Sequence, residues 1–523
     1  EYDNLGASAY LRAKEDYLMG INFSRLLTLK YGNSISNFLQ TKYSVVSVGR
    51  VMTCVLGMVV RREREIRDFI KTPFYRVLST IDAQGHTFEG EWRAVKGSRY
   101  FESYDLYKEN GFKERKKAEE LIQYLQTPDD KSVNVAAEMQ EQSGLNCRIE
   151  SIEKKKEKKN PPLLYNLAEL QNDCSKRFKI SPDETLRIVQ ELYEKKLVTY
   201  PRTDARVLSS AVAKEISRNL NGLSRFGELG AFASEILAEG SYKGIGKSRY
   251  TNDAQITDHY AIIPTGQGLG ALKGLSLTAQ RVYETIVRRF LSIFYPPAVY
   301  QKVSLVTKIQ NEFFFSSFKV LLSEGYLKIA ANSFAKKTAA EAGKAPEGEG
   351  EEVSCDEALL AALQKLKKGD ILNINGLGIK EGETSPPKRY NSGSIILAME
   401  NAGQLIEDED LRSQIKGSGI GTSATRAEIL KKLFNIKYLS LNKKTQVITP
   451  TLQGEMIYDV VNCSIRQLLN PELTASGEKG LTYVAEGSIT EQEYMDKLER
   501  FVRLRTKQVE DSSFQYALRQ FFD

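Results

Sequence analysis

Tyr200, Arg202 and Asp204 stand at alternate positions in the run Lys196-Leu197-Val198-Thr199-Tyr200-Pro201-Arg202-Thr203-Asp204. Leu197 to Tyr200 is β-prone, and Pro201 disfavours helix for the residue before it. Side chains alternate along an extended segment, so a phenol, a guanidinium and a carboxylate share one face. That trio suits attack on a phosphodiester. A tyrosyl oxygen can displace part of the ester and keep the phosphate covalently. A cation beside a phenol helps it ionise. Arg202 supplies one, and can also grip non-bridging phosphate oxygens through two parallel hydrogen bonds. Asp204 either holds the arginine or handles a proton. One tyrosine among 26 is ordinarily a surface residue, so the combination carries the reading.

The element that delivers this segment is a helix. Ser181-Pro182-Asp183-Glu184 predicts a capping box with Pro at the first helical position. Leu186, Val189, Leu192 and Tyr193 then recur at helical spacing as one apolar face. Lys195 and Lys196 fall in the last turn, where cations suit the helix dipole.

Two other places read as anion sites. Ser47-Val48-Gly49-Arg50-Val51 precedes an apolar helix, and Gly49 lets backbone approach closely at a helix start. Lys416-Gly417-Ser418-Gly419-Ile420-Gly421-Thr422-Ser423 is a Gly-rich loop. It leads into a helix capped by Thr425 and Glu428, so Thr422, Ser423 and Arg426 can meet one phosphate. Tyr438-Leu439 and Val447 to Pro450 read as a small hairpin turning at Asn442-Lys443-Lys444. Ser241-Tyr242-Lys243-Gly244-Ile245-Gly246-Lys247-Ser248 imitates a nucleotide loop, but it starts with Ser and lacks a leading strand. His259 is one of two histidines; it reads either as packed on Tyr260-Ala261-Ile262-Ile263-Pro264 or as a site residue. His86 sits in a hairpin turn beside Gly85.

At 523 residues, several domains are expected. A net charge of +7 is only mildly basic and permits nucleic-acid binding through a concentrated patch. No apolar run is long enough to span a bilayer. Five scattered cysteines without Cys-x-x-Cys support neither a zinc ribbon nor a disulfide framework, and a reduced cytosol fits them. Residues 70–150 and 298–333 alternate as strands do and flank a helical block, as one β domain interrupted by an inserted helical domain would. Lys154-Lys155-Lys156-Glu157-Lys158-Lys159 between them reads as a solvated linker able to touch DNA backbone. Residues 335–353 read as a flexible surface insertion.

Tyr-Pro-Arg-Thr-Asp after Gln190-Glu191-Leu192-Tyr193-Glu194 resembles the active-site segment of type IA DNA topoisomerases, nearest the bacterial topoisomerase III branch. Pro161 to Leu167 with Gln171, Ser47 to Val51, Asp258 to Thr265, Pro386-Pro387-Lys388-Arg389-Tyr390 and Gly419 to Arg426 match further blocks in the family's order. Met52 and Cys54 replace the family's Gln and Pro, and Ser476-Gly477 replaces its Glu-Trp. The resemblance implies a multidomain α+β fold, a toroidal gate of helical domains joined by a β-rich arch. Its parts would be 1–69 and 381–523 for the base, the second part winged-helix-like, 70–159 and 298–380 for the arch, and 160–297 for the tyrosine domain. It implies ATP-independent cleavage of one DNA strand, with Tyr200 attached to the 5′-phosphate, then strand passage and religation. Arg202, Asp204 and His259 would assist. Ser47, Gly49, Arg50, Lys416, Thr422, Ser423 and Arg426 would line a basic groove for single-stranded DNA. Mg²⁺ would be held by a Toprim domain, whose Asp-x-Asp-x-x-Gly cluster is not found here. No metal ligand is therefore assigned in this sequence, and the chain alone is expected to be inactive. A monomer in the cytoplasm, associated with the nucleoid and with a helicase partner, completes that expectation. The rival readings are a non-catalytic single-strand clamp and, with only two histidines against it, a tyrosine recombinase.

Overall fold

The computed structural model describes residues 2–127, 144–330, 353–354, 357–406, 409–410 and 419–522. Lys416, Gly417 and Ser418, and nearly all of the expected insertion at 335–353, lie outside them. The chain divides into two compact units. One comprises Glu1–Phe69, Leu163–Leu291 and Pro387–Asp523; the other comprises Ile70–Pro162 and Ser292–Pro386.

The second unit is built from strands β1 (Pro73–Ala83), β2 (His86–Arg93), β3 (Leu106–Lys108), β4 (Gly111–Phe112), β5 (Asn146–Lys159), β6 (Ala298–Ile309), β7 (Glu312–Ser323), β8 (Val353–Ser354) and β9 (Ile371–Glu383). Six of them close on themselves in the antiparallel order β1-β2-β7-β6-β5-β9, with β9 pairing back to β1. Closure removes the exposed edges. Alternation along β1 sends Val77, Ile81 and Ala83 inward, where they meet Phe88, Trp92, Val303 and Phe314. The lysine run is the second half of β5 and no linker. It pairs with β6 from Lys154 opposite Val303 to Lys159 opposite Ala298. A basic strand holds here because its partner supplies the buried side chains, and Lys154 Nζ donates to the carbonyls of Gln364 and Leu366. Inside the ring Glu312 is wholly buried. It accepts from Trp92 Nε1 at 2.7 Å, Ser98 Oγ at 2.6 Å and the Arg99 amide at 2.9 Å.

The first unit is helical. Helix Tyr2–Leu39 buries Leu11, Met19, Phe23, Leu27, Tyr31 and Ile35 along one stripe. Helix Arg50–Arg67 contributes Val55, Leu56, Val59 and Val60 to the same core. Ile395, Met399, Leu433, Ile457 and Val461 complete it, so the two ends of the chain fold together. Helix Arg426–Asn435 leads to a hairpin of Leu439–Leu441 against Ile448–Pro450, turned by Asn442, whose side-chain oxygen accepts from the amides of Lys444 and Thr445. The capping box expected from Thr425 and Glu428 does not form. The Thr425 hydroxyl instead accepts from the Thr422 amide at 3.0 Å, closing the preceding loop.

Glu312→Ala orphans three buried donors at roughly 1 kcal/mol or more each, so it should lower stability by about 3 kcal/mol. Urea unfolding followed by Trp92, the single tryptophan, measures this, and a loss below about 1 kcal/mol would show the network to be dispensable.

Candidate active site

Helix Pro182–Glu194 begins with the expected N-cap, Ser181 Oγ accepting from the Glu184 amide at 3.1 Å, but the reciprocal Glu184 side-chain bond of a capping box does not form. It ends in a Schellman turn. The Lys196 amide donates to the Tyr193 carbonyl and the Leu197 amide to the Leu192 carbonyl, with Lys196 left-handed at φ 62°. The chain leaves this corner extended. Neighbours on both sides hold it: Thr199 donates to Ile263, and Ala261 to Val207. Leu167 donates to Thr203, and Leu164 to Arg206. Pro201, Thr203, Ala205 and Val207 are buried, while Tyr200, Arg202, Asp204 and Arg206 are half-buried between them. The expected face is therefore formed.

Its members are used differently from expectation. Arg202 makes no ion pair or side-chain hydrogen bond among the described residues, so Asp204 does not hold it. Asp204 Oδ1 instead takes Arg426 Nη1 at 3.2 Å. His259 is exposed and not packed in the core. Its ring lies 4.4 Å from the Tyr200 ring, tilted by 43°. Buried Thr203 places it there by donating to the His259 carbonyl at 3.0 Å. His259 thus faces the phenol rather than Asp204. Tyr193, read as part of the apolar face, turns outward and meets Tyr200 edge-on at 5.4 Å.

The expected phosphate ligands fall into two groups. Gly49, Arg50 and Thr422 line one cleft of about 570 Å³, together with Asp16, Lys432 and Glu478. The cleft carries both signs of charge and is not a simple basic groove. Arg50 is 5% exposed and is not presented as a free phosphate ligand. Its Nε bonds Asp16 Oδ1 at 2.8 Å, and Glu15 and Glu478 lie at 3.7 and 3.9 Å from Nη1. Nη1 itself has no hydrogen bond. Gly49 is extended (φ −164°), a conformation open to any residue, and a side chain there would meet only Met52 Cβ at 3.9 Å. The Ser47 amide donates to Tyr438 Oη, and Ser47 is half-buried. Thr422 is exposed and Ser423 half-buried. Arg426 is buried away from solvent. It donates to the carbonyls of Ile420 and Gly421, each at 3.2 Å, as well as to Asp204.

Three participants escaped the sequence. Asn166 caps helix Leu167–Phe178 by accepting from the Glu169 amide at 2.9 Å, and its amide group donates to the Asp204 carbonyl at 3.1 Å. The same amide group reaches Glu400 Oε1. Glu400 ends helix Ser392–Glu400, and an acid at that pole opposes the helix dipole, a signal that could have flagged it. Glu15 lies under the cleft and accepts from Tyr494 Oη at 2.9 Å. Among the described residues no three His, Cys, Asp or Glu side chains converge to hold a metal ion. The described residues therefore offer no cluster that fits Mg²⁺. No described helix is long and apolar enough to cross a membrane.

The fold resembles that of full-length topoisomerase I from Thermotoga maritima, with TM-score 0.62 and 21% identity, covering 97% of this chain and 69% of that one. The class is thus a mixed helix-and-sheet topoisomerase fold. A family model described as DNA topoisomerase matches residues 1–496, and the chain belongs to this family, the type IA DNA topoisomerases. The DNA topoisomerase 3 of Bacillus subtilis (strain 168) is 32% identical over 519 residues. That of Shouchella clausii is 32% identical over 514. The chain spans 62% of the length of the first and 60% of the second.

Burial pushes the Glu15 carboxyl above its usual range, although Arg50 opposes the shift. A raised folded value contributes stability below the unfolded value near 4.5 and loses it as pH rises through the folded one. Wild type should therefore lose stability relative to Glu15→Gln as pH rises above the unfolded value near 4.5. Urea midpoints at several pH values check this, and a constant difference would mean the carboxyl is not penalised.

Proposed function

We propose that this chain carries the strand-cleaving and DNA-gripping surfaces of a type IA topoisomerase acting on single-stranded DNA. The observation that supports this most is the face shared by Tyr200 and Arg202, with His259 against the phenol ring. Tyr200 Oη attacks the phosphorus, and the bond to the 3′ oxygen breaks. That oxygen leaves as a hydroxyl, the proton it gains balancing the one the phenol gives up, and the 5′-phosphate stays on the tyrosine. Reversal by the same hydroxyl reseals the strand, and the ester keeps the bond energy, so no ATP is required. Arg202 has its guanidinium uncommitted and suits the charge that builds on the non-bridging oxygens. His259 is placed to exchange a proton with the phenol or to bind the same phosphate. Asp204 acts by position, since its carboxylate is engaged by Arg426. The mixed-charge cleft at Gly49, Arg50 and Thr422 suits base and sugar edges better than bare phosphate. Cleavage followed by strand passage would relax negative supercoils and separate linked circles.

Covalent capture of an end-labelled single strand tests the reading, with Mg²⁺ present, using the chain alone and the chain supplemented with a Toprim domain. A 5′-linked adduct is expected in at least one arm, and Tyr200→Phe should reduce it by roughly a thousandfold or more. Salt-sensitive binding without an adduct in either arm would leave a clamp and contradict the nucleophile.

A further inference from the structure

Glu400 lies where three parts of the first unit meet. Its carboxylate accepts from Asn166, whose amide group also holds the Asp204 backbone. Its own backbone abuts the Gly-rich loop: the Ile420 amide donates to the Met399 carbonyl at 2.9 Å, and a side chain at Gly419 would come within 2.4 Å of the Glu400 carbonyl. Arg426, which binds the Asp204 carboxylate, is close enough to act on Glu400 by charge. A neutral amide could satisfy Asn166 equally well. A carboxylate at a helix C-terminus, half-buried and near both Asp204 and Glu169, is the less stable choice. Its charge is therefore the feature to explain.

We propose that Glu400 is a positioning residue for Tyr200, acting through Asn166 on the Asp204 backbone and through Arg426 on the Asp204 carboxylate. The assignment rests on Tyr200 being the nucleophile. Arg426 is bonded to Asp204 and feels Glu400 only through space, so the charge on Glu400 bears on how firmly Arg426 draws Asp204. That in turn sets how the Tyr200 segment lies against the Gly-rich loop. The groups facing Glu400 are Arg426 from the helix Arg426–Asn435, Asn166 and Glu169 at the start of helix Leu167–Phe178, and Asp204. Burial raises the Glu400 pKa, with Arg426 and Asn166 pulling the other way. Protonation as pH falls makes the wild type resemble Glu400→Gln, and the two diverge as pH rises.

The test compares wild type, Glu400→Gln and Glu400→Ala in two readouts. The first is the rate of covalent capture at saturating single strand, alongside strand affinity. The second is hydrogen exchange at the Leu164 and Leu167 amides, which donate to the Arg206 and Thr203 carbonyls and need no catalysis. Glu400→Ala should slow capture roughly tenfold with affinity within about twofold, and should speed exchange by a similar factor. Glu400→Gln should match wild type at low pH and depart from it as pH rises. Both variants staying within about twofold of wild type at every pH, in both readouts, would overturn the proposal. A variant that does not fold leaves the glutamine comparison to decide. Wild type giving no adduct would sink the Tyr200 reading, and unchanged exchange would then separately reject the positioning role.

Discussion

The Arg426 side chain is 1% exposed, and a guanidinium taken that far from water costs several kcal/mol unless its donors are met. Much of the site follows from meeting them. The carbonyls of Ile420 and Gly421 face it only because the loop curls back on itself. That curl needs positive φ at Gly419 (66°) and Gly421 (68°). A side chain at Gly419 would also sit 2.1 Å from the Met399 carbonyl. Asp204 meets a further donor, which ties down the extended segment four residues beyond Tyr200. The Tyr200 segment and the Gly-rich loop are thus positioned by one ion that neither exposes.

Around that ion, the Tyr200 block meets the helices that follow residue 387 through small and polar groups. Ser175 Oγ and Ser392 Oγ are 2.9 Å apart, and Ser392 donates to Gln446 at 2.7 Å. Gly393 lies against Asn172, whose side-chain oxygen is buried without a hydrogen bond. Surfaces of this kind separate at lower cost than an apolar core, as interfaces within a chain commonly do.

Local pattern made several elements legible. Pro182 after Ser181, the alternation from Tyr200 to Val207 and the turn at Asn442 all act within a few residues, so their physics is written in adjacent letters. The arginines show where that stops. Arg50 and Arg426 each stand at a helix start beside glycine, which locally resembles an anion site. The structure pairs them with carboxylates brought from elsewhere in the chain: Glu15 and Asp16 with Arg50, Asp204 with Arg426. No spacing rule reaches across such separations. The lysine run was misread for the same reason. Its strand character comes from β6, whose buried residues are absent from the run itself. Glu400 carried a local sign, an acid at the wrong helix pole, but its meaning needed Asn166 and Arg426 in view.

The central claim is that the pairing of buried Arg426 with half-buried Asp204 fixes the segment carrying Tyr200. A double-mutant cycle tests it most directly, with Asp204→Asn, Arg426→Met and the double variant compared in denaturant unfolding. The account predicts that the two changes are not additive, with a coupling of roughly 1.5 kcal/mol or more, because either single change leaves the other partner uncompensated. Additive effects, with coupling within about 0.5 kcal/mol of zero, would contradict it.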